Sequence, residues 1–132
     1  MPRISPILAA LLAALPAFGA KVDYNEDVRP ILSENCFYCH GPDANKRKAK
    51  LRLDVRDAAL EKKAFVPGDA GASELIKRLA STDSDEVMPP PDSHRTLSAA
   101  QKEILKRWIA EGAEYRQHWA YVTPVRPALP AN

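Results

Sequence analysis

Residues 36–40 read Cys-Phe-Tyr-Cys-His, and these five positions hold both cysteines of the 132-residue chain. No other stretch constrains the fold as strongly, because each chemistry it permits demands different surroundings. A structural zinc site needs four ligands, usually with a second Cys or His pair at short spacing. No third cysteine exists here, and His94 and His118 stand too far apart to form such a pair. A thioredoxin-like redox pair needs a preceding strand and a βαβ setting, whereas the residues before Cys36 carry a helical pattern, and His40 would have no task. In C-x-x-C-H attachment of haem, both thiols bond the vinyl groups and the imidazole binds the iron. One helical turn brings the two sulfurs and the ring to the same porphyrin. This third chemistry employs all three side chains.

Residues 1–20 have the pattern of a secretory signal. Arg3 supplies a short positive start, Ile7 to Leu15 is an uncharged apolar run, and "PAFGA" offers small residues for cleavage after Gly19 or Ala20. The run is shorter than the roughly 20 residues that a membrane span needs. The expectation is an exported chain, periplasmic or otherwise extracytoplasmic, with no stable membrane insertion after signal removal. Thiols can pair in such a compartment, but a bridge closing so small a loop would constrain little of the chain. The net charge of +2, one less without Arg3, argues against a nucleic-acid partner, which requires a basic face. With 45% hydrophobic and 27% charged residues, a packed core is within reach.

Helical periodicity dominates the remainder. From Lys21 to Gly41, Val28, Ile31 and Leu32 share a face that Cys36 continues, with Asn25 or Asp27 as the cap and Pro30 in the first turn. "PDANKRKAK" is an exposed basic loop, "LRLDV" alternates like a short extended stretch, and Asp54 is placed to cap a short helix through "VRDAALE". "FVPGDAGAS" is turn-rich. Ser73 opens a helix whose buried stripe is Leu75, Ile76 and Leu79. The last helix has a capping box of Ser98 and Gln101, an apolar face of Ile104, Leu105, Trp108 and Ile109, and Gly112 at its stop. Tyr24 and Trp108 are expected to pack the first and last helices together. The pattern predicts an all-α architecture of three to five short helices around the haem. Residues 1–20 form the signal, 21–115 the haem domain and 116–132 an extended proline-rich tail.

Removal of the signal takes Met1 with it and leaves Met88 as the single thioether of the mature chain. A lone methionine is ordinarily core filler. Met88 instead lies in "STDSDEVMPPPDSHRT", a polar, aperiodic loop stiffened by Pro89, Pro90 and Pro91, where it could serve as the second axial ligand opposite His40. His94 is the rival for that position, although its polar neighbours favour simple exposure. His118, beside Trp119, reads as a packing or interface residue. Lys50 and Arg52 are candidates for the haem propionates or, more simply, solvated charges.

With "VRPILSENCFYCHG", "LRLD", "VPGDAGASELIKRL", "MPP" and "LKRWIAEGA" in this order, the chain resembles the planctomycete-type cytochrome c domain, a His/Met c-type cytochrome of the class I kind. The resemblance implies an all-α cytochrome c fold and one covalent haem c on Cys36 and Cys39, with His40 and Met88 as axial iron ligands. It also implies one-electron transfer to a redox partner protein, with no catalytic residues and no enzyme activity of the module itself. Where that family would place small or glycine residues before "LRLD", this chain carries "KRKAK". In the family the module often heads a longer exported protein, and "HWAYVTPVRP" is similar to the junction found there. Two other readings stay open: a haem-based sensor or small haem enzyme with a labile sixth position, and a non-haem interaction module.

Overall fold

A computed structural model describes residues 20–121 and 123–124. The expected signal segment therefore lies, apart from Ala20, outside the described residues. Among the described residues there are five α-helices and no strand, in agreement with the all-α expectation. They are α1 (Arg29–Asn35), α2 (Phe37–His40), α3 (Arg56–Glu61), α4 (Glu74–Ala80) and α5 (Ala99–Ala110), and a π-helical turn, Tyr24–Val28, precedes α1.

The predicted first helix is broken into three pieces. Its cap is Asp23, whose carboxylate accepts from the Asn25 and Glu26 amides. The expected cap Asp27 instead accepts from the Asp23 amide, at 2.9 Å. Pro30 falls in the first turn of α1, where its missing N–H costs nothing. At Cys36 the backbone leaves helical geometry (φ −122°, ψ −40°), so α2 restarts as a single turn with its own axis. Val28, Ile31 and Leu32 are buried as the periodicity predicted.

One other predicted cap is corrected. Asp54 does not cap α3, whose N-cap is Val55; the Asp54 carboxylate pairs with Arg52 instead. Ser73 does precede α4, but its fully buried hydroxyl serves the turn behind it, donating to the Asp69 carbonyl at 2.7 Å and accepting from the Val66 amide at 2.9 Å. The hydroxyl thereby closes the Val66–Ser73 turn, which neither helix ladder could satisfy. Ser98 and Gln101 do form the predicted capping box at α5.

The core lies where α5 crosses the N-terminal turn and α4. Leu32, Leu105 and Ile109 are fully buried, each stabilising the fold by roughly 1.5–3 kcal/mol relative to exposure. Four rings extend this core. Tyr24 stacks on Tyr115 with centroids 4.4 Å apart, and Trp108 meets Tyr24 at 5.9 Å and Phe65 at 5.4 Å. Tyr24 and Trp108 thus join the first and last elements as expected, but Phe65 and Tyr115 complete the cluster. Cross-ties fix the helix ends: Lys102 donates to the Leu79 carbonyl at the end of α4, and Arg56 donates to the Ala113 and Gly112 carbonyls beyond α5. The two glycine-free left-handed residues of the basic loop, Ala49 (φ 51°) and Lys50 (φ 53°), occupy the place where small or glycine residues were expected.

Candidate functional site

Against α5, at Leu105, lies a cavity of about 690 Å³, within the roughly 300–1,000 Å³ typical of ligand and cofactor sites. Leu51, Leu53, Leu75, Leu79 and Leu105 make its walls predominantly apolar. Cys36, Cys39, His40 and Met88 all line it. Four chemically distinctive groups from two distant stretches of sequence thus line one apolar cleft.

Local structure explains how each group arrives there. Cys36 sits at the joint between α1 and α2, with its amide bonded to the Leu32 carbonyl at 2.8 Å. The His40 amide closes the α2 turn on the Cys36 carbonyl at 2.8 Å, which puts Cys39 and His40 on one short rigid element. The following loop is laced to that turn: Lys48 N–H donates to Cys39 O at 2.8 Å and Leu53 N–H to His40 O at 2.7 Å. Arg47 grips the exit, donating to the Gly41 and Pro42 carbonyls at 2.9 and 2.8 Å. From the opposite side, Met88 N–H donates to the Arg78 carbonyl of α4 at 3.0 Å.

The two thiols are free. Burial, reinforced by the neighbouring Cys39 thiol, pushes Cys36 up to about 12. Redox-active pairs need a lowered pKa and a thiolate, so the environment of Cys36 is the opposite of a dithiol switch. Burial lowers the His40 pKa, with the Lys48 backbone opposing in part, and this favours the neutral imidazole that a metal requires. Despite the closeness of Lys48, His40 Nδ1 is buried without a hydrogen-bond partner. A buried, unpartnered imidazole nitrogen costs free energy that a bound group could recover. Among the described residues no three His, Cys, Asp or Glu side chains converge on one point. The donor set is instead spread around a wide apolar space. Size, wall chemistry, two thiols at the required spacing, an unsatisfied imidazole and a thioether together fit a haem.

Other sequence candidates fall outside this space. His94 is exposed, in left-handed backbone (φ 54°), and does not line the cavity. His118 lies beside Tyr121, ring centroids 6.3 Å apart, in the C-terminal segment. Lys50 and Arg52 are not cavity residues; the cations that are include Lys48, Lys62, Arg78 and Arg95. Nothing in the spacing of these four marks them, since they come from four separate segments. Tyr38, also in the lining, was legible only as the second variable position of the cysteine motif. Among the described residues no helix is long and apolar enough to cross a membrane.

Residues 36–92 match the model of a protein family described as planctomycete cytochrome C. The match supports a planctomycete-type cytochrome c domain over that stretch, and the helical, strand-free structure of the described residues is consistent with an all-α, cytochrome c-like fold. It begins at Cys36 and extends past Met88, so it encloses all four distinctive cavity groups. A domain of this family implies haem c and haem-based electron transfer. No curated protein and no solved structure matches the chain.

Proposed function

We propose that this planctomycete-type cytochrome c domain is an exported one-electron carrier, with one haem c attached through Cys36 and Cys39 and its iron held between His40 and Met88. The observation that carries the reading is the convergence of both thiols, the unpartnered imidazole and the Met88 thioether on one apolar cavity. Each attachment is an addition: the thiol sulfur bonds one vinyl carbon and its hydrogen ends on the other, so no oxidant is consumed. When bound, the group supplies an Fe(II)/Fe(III) couple whose potential His/Met ligation raises relative to bis-His.

The chain's own residues then have simple tasks. Cys36 and Cys39 anchor, and His40 presents a neutral imidazole from a turn fixed by four backbone hydrogen bonds. Met88 is held by its amide to α4, and the leucine walls exclude water and lower the local dielectric. No side chain acts as acid, base or nucleophile. The natural partner is a redox protein outside the cytoplasm.

The test is a haem stain on a denaturing gel, with intact mass, of protein matured in a host competent for c-type attachment. A covalent adduct is expected, lost in the Cys36→Ala/Cys39→Ala double variant. Met88→Ala should abolish the low-spin His/Met spectrum and lower the potential. An unchanged spectrum would reject Met88 as ligand, and rapid CO binding by the reduced wild type would favour a ligand-binding haem sensor instead.

A further inference from the structure

Beyond Met88 the chain does not simply wander off over the surface. The Ser93 hydroxyl donates to the Pro90 carbonyl at 2.6 Å and accepts from the Arg95 amide at 3.3 Å, while His94 turns the backbone through the left-handed region (φ 54°). Past this reversal the Arg95 side chain reaches α1. Its Nε–H donates to the Glu34 carbonyl at 3.1 Å, in the last turn of α1. That carbonyl is one of the four that a helix end leaves without an internal donor, and it carries the negative end of the helix dipole. The guanidinium carbon also stands 5.0 Å from the centre of the Tyr38 ring, inside the roughly 6 Å reach of a cation–π contact. Lys46 Nζ approaches the same ring at 4.8 Å. Arg95, Tyr38, His40 and Met88 all line the cavity.

We propose that Arg95 is a positioning residue for Met88: clamped on Glu34 and Tyr38, it latches the 88–95 segment to the turn that carries Cys36, Cys39 and His40. This inference rests on the reading that Met88 ligates the iron. The Met88 segment has two attachments across the cavity, the Met88 amide on α4 and the Arg95 side chain on α1 and α2. Release of the second leaves Met88 hinged on the first, and the sixth position becomes open to small exogenous ligands. Tyr38 contributes through its ring face rather than its hydroxyl, so Tyr38→Phe keeps the latch and Tyr38→Leu loses part of it.

Imidazole binding to the ferric, haem-loaded protein reads the open fraction, because apparent affinity scales with the population of the competent state. Tyr38→Leu should tighten imidazole binding about two- to fivefold, the loss of one exposed cation–π contact. Arg95→Ala, which also removes the bond to Glu34, should tighten it about tenfold. Arg95→Lys should lie between wild type and Arg95→Ala, and Tyr38→Leu/Arg95→Ala should match Arg95→Ala rather than the product of the singles. Met88→Ala serves as the fully open reference. If Met88→Ala tightens binding strongly while Arg95→Ala and Tyr38→Leu bind as wild type does, the latch is refuted and the ligation stands. If Arg95→Ala acts but Tyr38→Leu does not, the Glu34 bond holds the segment alone and the Tyr38 half of the latch is refuted. If Met88→Ala itself changes nothing, the ligation reading falls first and the latch with it.

Discussion

Gly41 follows His40 directly, and its replacement by alanine tests how the α2 turn is held. An ideal Cβ at Gly41 falls 2.2 Å from the Phe37 carbonyl oxygen and 2.9 Å from the Phe37 carbonyl carbon and Cα. The backbone angles there (φ −128°, ψ −157°) suit any residue, so space alone is the obstacle. The first of these distances is more than about 1 Å inside the roughly 3.5 Å at which carbon atoms attract. The obstructing atoms are backbone and cannot rotate away. Relief requires α2 to separate from the 41–53 segment, against the bonds from Lys48 to Cys39 O and from Leu53 to His40 O. Weakening both at about 1 kcal/mol each, with about 1–3 kcal/mol of overpacking strain, gives a destabilisation of about 3–5 kcal/mol. Gly71→Ala is the control, because its Cβ meets only the Asp69 carboxylate, at 3.4 Å. That change should be neutral, or stabilising by about 0.4–1 kcal/mol through the unfolded chain. Urea unfolding measures both: with a slope of about 1–3 kcal/mol/M, Gly41→Ala should lower the midpoint by 1 M or more. A Gly41→Ala midpoint at the wild-type value, or an equal loss in Gly71→Ala, would refute the steric argument.

Three further outcomes follow from the core. Burial pushes Tyr24 up to about 12 from its ordinary 10, with Arg29 opposing and Asp54 assisting, and burial and then Tyr24 push Tyr115 up too. Above pH 10 the unfolded chain therefore loses these protons first, so stability is complete below pH 10 and falls as pH rises from 10 towards 12; Tyr115→Phe should blunt that fall, as followed by alkaline urea titration, while losing about 1 kcal/mol at neutral pH from the 2.7 Å bond to the Leu53 carbonyl. Ser98→Ala removes the acceptor for the Gln101 amide and should cost about 1 kcal/mol by chemical denaturation. Leu105→Ala, fully buried and part of the cavity wall, should cost about 2–5 kcal/mol, and a loss under 1 kcal/mol would show that the wall collapses freely.

Much of the site was legible because its chemistry is local. Cys36, Cys39 and His40 fall within one turn, and Met88 stood out as a thioether in a loop with no helical face to fill. The last helix was equally plain, since the Ser98–Gln101 box and the Leu105, Trp108, Ile109 stripe need only short-range pattern. The break at Cys36 was not legible: periodicity runs through it, and only the ties from Lys48 and Leu53 to α2 show why a second axis is needed. Asp54 has the identity of a cap, but Arg52 two residues earlier competes for its carboxylate. Ser73 was placed correctly for a different reason, since its hydroxyl serves a turn and not a helix. The cavity cations escaped detection because Lys48, Lys62, Arg78 and Arg95 meet only in three dimensions, as do Tyr115 and the rings it joins.

The left-handed pair Ala49 and Lys50 has one more consequence. Side chains in that region cost roughly 1–2 kcal/mol per residue, whereas glycine would sit there without penalty. Substituting glycine at both positions would relax the backbone beside the cavity but would also delete a positive charge from the segment that borders it. Local comfort and local potential are consequently coupled in this loop. Lys50 stands two residues from Lys48, whose amide ties this loop to the Cys39 carbonyl, so glycine at Lys50 would alter backbone and charge together beside the turn that carries both thiols.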